Sequence, residues 1–550
     1  MRFAPFIRTA RCAVLAGLAA CAPVQPGISP APTVAPPYDV ILEGGRIVDG
    51  TGSAWYYGDL AISGDRISRI TPRGALRDVT ARQRIDVRGM VVAPGFIDIQ
   101  GQSDYQLTVG DGRVISKVSQ GVTTEIMGEG SSPAPTNART DRLGRLAPAL
   151  EFSGPHGFDT WLRAMEAHGV SPNVGSFLGA GTVRVYAKGE AEGPATPAEL
   201  DTMRAVVRNA MRDGAFGVAS ALIYPPGNYA GTAELIELAR AMAPLGGLYI
   251  THMRSEGNAW LEAIDEAIRI GSEGGVPVEI YHLKAGGTRN WGKTPLAMAK
   301  IDSARAAGVD VQADMYPYTA GATGLSACFP PWASADGKLF ENLANPDVRV
   351  RIRADMDRDG NQWENLCALA GPGGVLLLYF EKPENTRYAG KRLDEAAAMM
   401  GKPWEDAAMD LVLSDRNRVA TAFFLMSEEN IRTQLRQPWI KIGTDADGSN
   451  PEKPEGLTHP RAYGTYPRIL GKYVRDEKVL PLEDAIRKMT SAVATRLSIE
   501  DRGVIRPGFF ADLVVFDPET IADRATFERP HQVSAGITLV YVNGVAVMRD

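Results

Sequence analysis

Three polar residues close apolar runs, and their types suit metal binding. His252 ends Leu248-Tyr249-Ile250-Thr251, His282 ends the run from Val276 to Tyr281, and Asp445 follows Trp439-Ile440-Lys441-Ile442-Gly443-Thr444. Where strands alternate with helices, groups that act on a ligand sit at the C-terminal ends of the strands. His252 and His282 are separated by the length of one strand–helix unit, so adjacent strands could bring both imidazoles to one ion. The chain has six histidines, and two of them occupy equivalent strand ends. Taken one by one, other roles stay open. Either histidine could be a satisfied core or capping group, and Asp445 lies in Gly443-Thr444-Asp445-Ala446-Asp447-Gly448, a run rich in turn and helix-cap formers.

The elements that must position these residues follow from the patterning around them. Leu248-Tyr249-Ile250, a helix from about Asn258 to Ile270, the run Val276 to Tyr281 and a helix from about Leu296 to Ala306 alternate in type, which predicts parallel strands. Candidate strands lie near Phe96, Thr124, Val174, Val218, Tyr249, Val278, Val311, Phe423 and Ile440. That is one more than an α/β barrel of the (β/α)8, TIM-like kind needs, so one belongs elsewhere. The irregular stretch from about Gly324 to Lys402 reads as an insertion. At the two ends the style changes to short apolar runs broken by tight turns, such as Val40-Ile41-Leu42 before Gly44-Gly45, and Val542-Asn543-Gly544-Val545. These predict hairpins, with residues 38–93 and 500–550 forming one small composite β domain around a barrel spanning 94–499.

Composition narrows the partners. The 550 residues carry 59 Lys+Arg against 65 Asp+Glu, a net charge of −6, and 44% are hydrophobic. Disorder and fibre are excluded, and without a basic footprint so is nucleic acid. Arg2, Arg8 and Arg11 precede an apolar stretch from Cys12 to Ala20 that is too short to span a bilayer, which reads as an export signal over residues 1–20. Its end, Leu18-Ala19-Ala20-Cys21, resembles the lipobox of bacterial lipoproteins, with Cys21 as the lipidated residue; chance alanine-rich sequence before a cysteine is the alternative. Residues 21–37 are proline-rich and read as a stiff tether. The expected location is therefore periplasmic, lipid-anchored to a bacterial membrane. Cys328 and Cys367 could pair in that compartment, or stay as two lone buried thiols.

Further runs carry a resemblance. Gly44-Gly45-Arg46-Ile47-Val48-Asp49-Gly50, Ala93-Pro94-Gly95-Phe96-Ile97-Asp98 and Arg506-Pro507-Gly508-Phe509-Phe510-Ala511-Asp512 look like the amidohydrolase superfamily. Gln120-Gly121-Val122-Thr123-Thr124-Glu125, Leu222-Ile223-Tyr224-Pro225-Pro226-Gly227, Thr251-His252-Met253-Arg254-Ser255-Glu256-Gly257, Tyr281-His282-Leu283-Lys284 and Tyr316-Pro317-Tyr318-Thr319 resemble its N-acyl-D-amino-acid deacylase branch. The resemblance implies zinc held by one non-histidine ligand and two histidines, at the positions of His252 and His282. It also implies an aspartate base at Asp445, and Lys284 and Tyr316 as groups that grip the substrate carboxylate or carbonyl oxygen.

Two departures matter. Where the superfamily carries a His-x-His pair, this chain reads Gln100-Gly101-Gln102, and glutamine is a far weaker ligand than imidazole, which argues against a second, histidine-held metal. Where the branch carries a zinc-binding cysteine, the chain reads Glu125-Ile126-Met127-Gly128-Glu129. Glu129 is the natural substitute, because Glu with two histidines is a catalytic zinc set. One Zn2+ per chain is expected, acting on a small-molecule or short-peptide substrate. The runner-up readings are a metallo-peptidase or other amidohydrolase acting on peptides or acylated compounds, and a metal-free binding lipoprotein. His156, His168, His459 and His531 receive no metal role, His459 being the one in a loop that could reach the barrel mouth. Oligomeric state is not legible.

Overall fold

Eight short apolar runs form the parallel strands of a barrel: Phe96–Asp98, Val122–Met127, Asn173–Ser176, Gly217–Ala221, Leu248–His252, Val278–Ile280, Val311–Met315 and Ile440–Ile442. The computed structural model describes residues 38–140, 151–356, 363–416 and 419–549. The expected leader, Cys21 and tether lie outside the described residues. Parallel ladders join the first three strands, and the fourth through the eighth, in chain order. The seam between the third and fourth is bridged by Phe216 N donating to Ser176 O at 3.1 Å. The seam between the eighth and first is closed by Asp445 N donating to Gln100 O at 2.8 Å and a parallel bridge between Gly101 and Ala446.

Apart from Asn173–Ser176, which is only part-buried, the strands are buried on both faces almost throughout, which is why they read as largely continuous apolar runs rather than alternating ones. The connecting helices show the complementary pattern. In Trp260–Gly274, residues Trp260, Ala263, Ile264, Ala267, Ile270 and Gly271 are buried, a stripe at helical spacing turned to the barrel. Pro197–Arg212 begins at Thr196 with a capping box in which Glu199 answers the Thr196 backbone.

The segments before and after the barrel share one sheet, in the strand order Val545–Arg549, Ile537–Val542, Leu513–Phe516, Val91–Pro94, Tyr38–Ile47, Tyr56–Ser63, Arg66–Pro72, with Ala81–Asp86 also on Tyr38–Ile47. Period-two alternation ties this sheet to the barrel. Leu513 and Val515 pack with Leu42, Leu60 and Ile62, whereas Val514 and Phe516 point the other way into the barrel core. The Asn543-Gly544 hairpin has both residues at positive φ, 49° and 76°, the conformation that matches the strand twist.

The ninth candidate strand, at Phe423, is not in the barrel. It lies in Ala420–Phe424, the middle of an antiparallel three-stranded sheet with Ala320–Gly324 and Val375–Tyr379. A separate hydrophobic core, including Leu325, Leu343, Leu377, Leu393, Met409 and Phe423, belongs to this inserted unit. The unit thus runs from about Ala320 to Met426 and contains the 324–402 stretch that composition marks out. Cys328 and Cys367, 39 residues apart, are joined in a disulfide inside it. Closing a loop of that length is worth about 4 kcal/mol on the chain-entropy account. Cys328→Ser is therefore expected to lower the midpoint of thermal unfolding, and an unchanged melting curve would mean that packing alone holds the unit.

Candidate active site

The residues that close the strands meet at one mouth. His252 is the last residue of the fifth strand, His282 lies two residues past the sixth, Tyr316 follows the seventh, and Asp445 lies three past the eighth. Glu129 arrives from the second strand through Gly128. That glycine has φ +106°, and a Cβ there would collide with the Phe177 carbonyl, so only glycine permits the turn that aims Glu129 inward. His282 and Asp445 also hold positive φ, at 34° and 50°, a costly conformation for residues with side chains. Backbone bonds hold both in place: His282 N donates to Asp314 Oδ1 and Asp445 N to Gln100 O, each at 2.8 Å.

Glu129 Oε1 lies 3.1 Å from His252 Nδ1 and 3.1 Å from His282 Nε2. One ligand atom from each residue falls within 4.8 Å of the others. A carboxylate oxygen and two imidazole nitrogens on rigid strand ends form a donor set suited to zinc. The groups behind them fit that use. Glu256 Oε1 sits 2.9 Å from His282 Nδ1 and accepts from Lys284 Nζ at 2.6 Å. A carboxylate on the far nitrogen fixes the tautomer that presents Nε2 to a metal.

Electrostatics follow the geometry. Burial opposes ionisation of Glu129, yet His282 and His252 hold its carboxyl well below the usual range. Burial and Lys284 oppose a charged His282, but Glu256 and Glu129 outweigh them and raise it to about 10. Burial pushes the Asp445 carboxyl up, against the pull of Arg461 and with a further push from Glu129. Two carboxylates in neighbouring places are thereby driven in opposite directions.

Lys284 is buried and neutralised by Glu256, with its Nζ also 2.7 Å from His282 Nδ1. It buttresses the Glu256–His282 contact as well as lining the cavity. Tyr316 is buried with its hydroxyl 3.9 Å from Met426 Sδ, a weak partner for a phenol. His459 does reach the mouth, but its Nε2 meets Ala320 O at 2.9 Å and its Nδ1 accepts from Arg461 N at 3.0 Å. Both nitrogens are thus used by the backbone, and the histidine has a structural part.

Some of the assembly has no signal in local patterning. Arg461 lies under 3 Å from Asp445, with Nη1 to Oδ2 at 2.7 Å, and stacks 4.6 Å from the Tyr316 ring. Its Nε and Nη1 are buried without an aligned hydrogen-bond acceptor. Glu256 stands four residues after His252, a spacing that could have drawn attention to it. Glu364, from the inserted unit, accepts from Ser255 Oγ at 2.8 Å and Gly257 N at 2.8 Å, clamping the loop that carries Glu256.

All of this opens into a cavity of about 640 Å³, lined on one side by Glu129, His252, His282 and Asp445 and on the other by Leu366, Leu378 and Phe423 of the inserted unit. The model of the amidohydrolase family matches residues 83–548. The chain belongs to the amidohydrolase family. It is 36% identical over 519 residues to the D-aminoacylase of Alcaligenes xylosoxydans xylosoxydans, covering 94% of this chain and 95% of that one. A solved D-aminoacylase structure, whose binuclear metal centre shows one-metal activation and second-metal attenuation, superposes with a TM-score of 0.77 at 35% identity, covering 94% of this chain and 97% of the other. The N-acyl-D-glutamate deacylase of Bordetella bronchiseptica, complexed with zinc and a phosphonate mimic of the tetrahedral intermediate, gives a TM-score of 0.77 at 30% identity, covering 93% and 96%. Within this family, with a group of side chains that could hold a metal and N-acyl-D-amino-acid deacylases among its relatives, the chain is a metal-dependent enzyme.

Proposed function

We propose that the protein is a zinc-dependent hydrolase that cleaves the amide bond of N-acyl-D-amino acids or closely related D-configured amides, using one zinc ion per chain. The observation that carries this is the convergence of Glu129, His252 and His282 on one point beside Asp445. The relatives' substrates, N-acyl-D-amino acids, agree with the same chemistry.

Zinc, when bound by Glu129, His252 and His282, supplies a Lewis acid for the scissile carbonyl and a water acidic enough to attack near neutral pH. The chain does the rest. Glu256 keeps His282 in the tautomer that presents Nε2, and Lys284 donates to Glu256 Oε1 and so holds that carboxylate in place. Asp445 Oδ1 takes the proton of the attacking water, and the raised affinity of its carboxyl for that proton suits its later return to the leaving amine nitrogen. The Tyr316 hydroxyl is free to donate to a substrate oxygen, where developing negative charge is best stabilised by a fixed donor.

A substrate carboxylate would find its partner in Arg461, whose buried Nε has no hydrogen-bond acceptor, beside an Nη1 that is paired with Asp445 Oδ2 at 2.7 Å. Charge-assisted hydrogen bonds of this kind are worth about 1.5–3 kcal/mol each. Arg461→Met is expected to raise KM for an N-acyl-D-amino acid by roughly 10- to 100-fold while changing it little for the matching carboxamide. Equal effects on both substrates would place the carboxylate elsewhere.

The reading includes a place in the cell. The disulfide in the inserted unit suits an oxidising compartment, and the Cys12 to Cys21 stretch suits export with a lipid on Cys21. Cys21→Ser is expected to move the protein from the membrane to the soluble fraction, and continued sedimentation with membranes would count against the anchor. The activity itself is tested by following amine release from paired N-acetyl-D- and N-acetyl-L-amino acids. D-selective release is expected, and cleavage of neither would overturn the proposal.

A further inference from the structure

Gln100, which is buried, and Gln102, which lines the cavity, stand beside Glu129 and do something other than leave a gap. Gln100 Nε2 donates to Glu129 Oε2 at 2.7 Å, and Gln102 Nε2 donates to the same oxygen at 2.7 Å. Gln102 Nε2 also faces Asp445 Oδ1 at 3.4 Å. A carboxylate only accepts, so the amides must present NH2 to it. Their backbone is fixed in the barrel seam, with Gln102 N donating to Ala446 O at 3.1 Å and Gly101 N to Ile126 O at 2.8 Å. Gln100 Oε1 is left buried without a partner, a cost the fold bears to keep the other end of that amide on Glu129.

Two consequences follow. With Oε2 occupied by two N–H groups, Glu129 has one oxygen, Oε1, facing the histidines, so it serves as a one-oxygen ligand. The Gln102 amide nitrogen also lies between the two carboxylates, where a second cation bridging Glu129 and Asp445 would have to sit. Neutral donors there supply the positive potential that two neighbouring carboxylates require, without an ion.

We infer that Gln100 and Gln102 are positioning residues that make this a one-metal site by construction, aiming Glu129 Oε1 at the first ion and filling the place of a second. This rests on the zinc site proposed above. The test is zinc content after equilibration in tenfold molar excess and exhaustive dialysis, with affinity measured by competition against a chromophoric chelator. The wild-type chain is expected to retain one zinc, and Gln100→His/Gln102→His two. Gln102→Leu is expected to bind the first zinc at least about tenfold more weakly, as loss of an outer-shell partner does. Two zincs in the wild type, unchanged affinity in Gln102→Leu, or one zinc in a folded double-histidine variant would each overturn the inference. A wild-type chain retaining none would instead overturn the proposed zinc site beneath it. Should the double variant not fold, the wild-type content and the Gln102→Leu affinity still decide.

Discussion

Asp445→Asn is expected to lower kcat by about 10²- to 10⁴-fold, the range that a positioned acid–base group supplies, while zinc stays bound. The substitution keeps shape and the backbone donation of residue 445 to Gln100 O, so the strained turn at φ 50° keeps its main tie. What disappears is the ability to hold a proton on Oδ1 and return it. Arg461, stripped of its ion-pair partner, would hold a substrate carboxylate at least as well, so KM should rise little. Retention of near-wild-type turnover would remove Asp445 from proton transfer and direct attention to Glu256, which with Glu129 lies close to the histidines.

Glu129→Ala is expected to weaken zinc binding by more than about 100-fold, since even outer-shell partners cost 10- to 100-fold and the proposed function makes this residue a ligand. The reason is visible in its contacts. Oε1 faces His252 and His282, and Oε2 takes both amide donors. Removing it leaves two imidazoles and two amide NH2 groups around a hole that has lost the oxygen facing both histidines. Glu129→Gln separates charge from shape: it fills the space but cannot accept from both amides and keep an anionic oxygen on the metal. Unchanged affinity in either variant would mean that the third ligand lies elsewhere.

The barrel is legible because its strands, buried on both faces, leave unbroken apolar runs, and because polar residues that end such runs in a parallel barrel share one mouth. His252, His282 and Asp445 are found that way, from local sequence alone. Glu129 is not, since the turn that aims it depends on Gly128 escaping the Phe177 carbonyl, a contact between neighbouring strands. It takes a resemblance to find it. Arg461 and the amide pair are further from reach: Gln102 and Asp445 are 343 residues apart, and nothing in either run encodes the seam that joins them. Phe423 misleads for a physical reason as well. Ala420–Phe424 is flanked by strands of its own small sheet and has the same apolar signature as a barrel strand, and periodicity does not say which sheet a buried strand enters.

The most direct test of the account is a zinc titration of the metal-free chain, starting just after Cys21, while release of free amine from an N-acetyl-D-amino acid is followed. Activity should rise in proportion to added zinc and level off at one equivalent per chain. Activity that is indifferent to zinc, or that needs two equivalents to appear, would contradict a hydrolytic site built from Glu129, His252, His282 and Asp445.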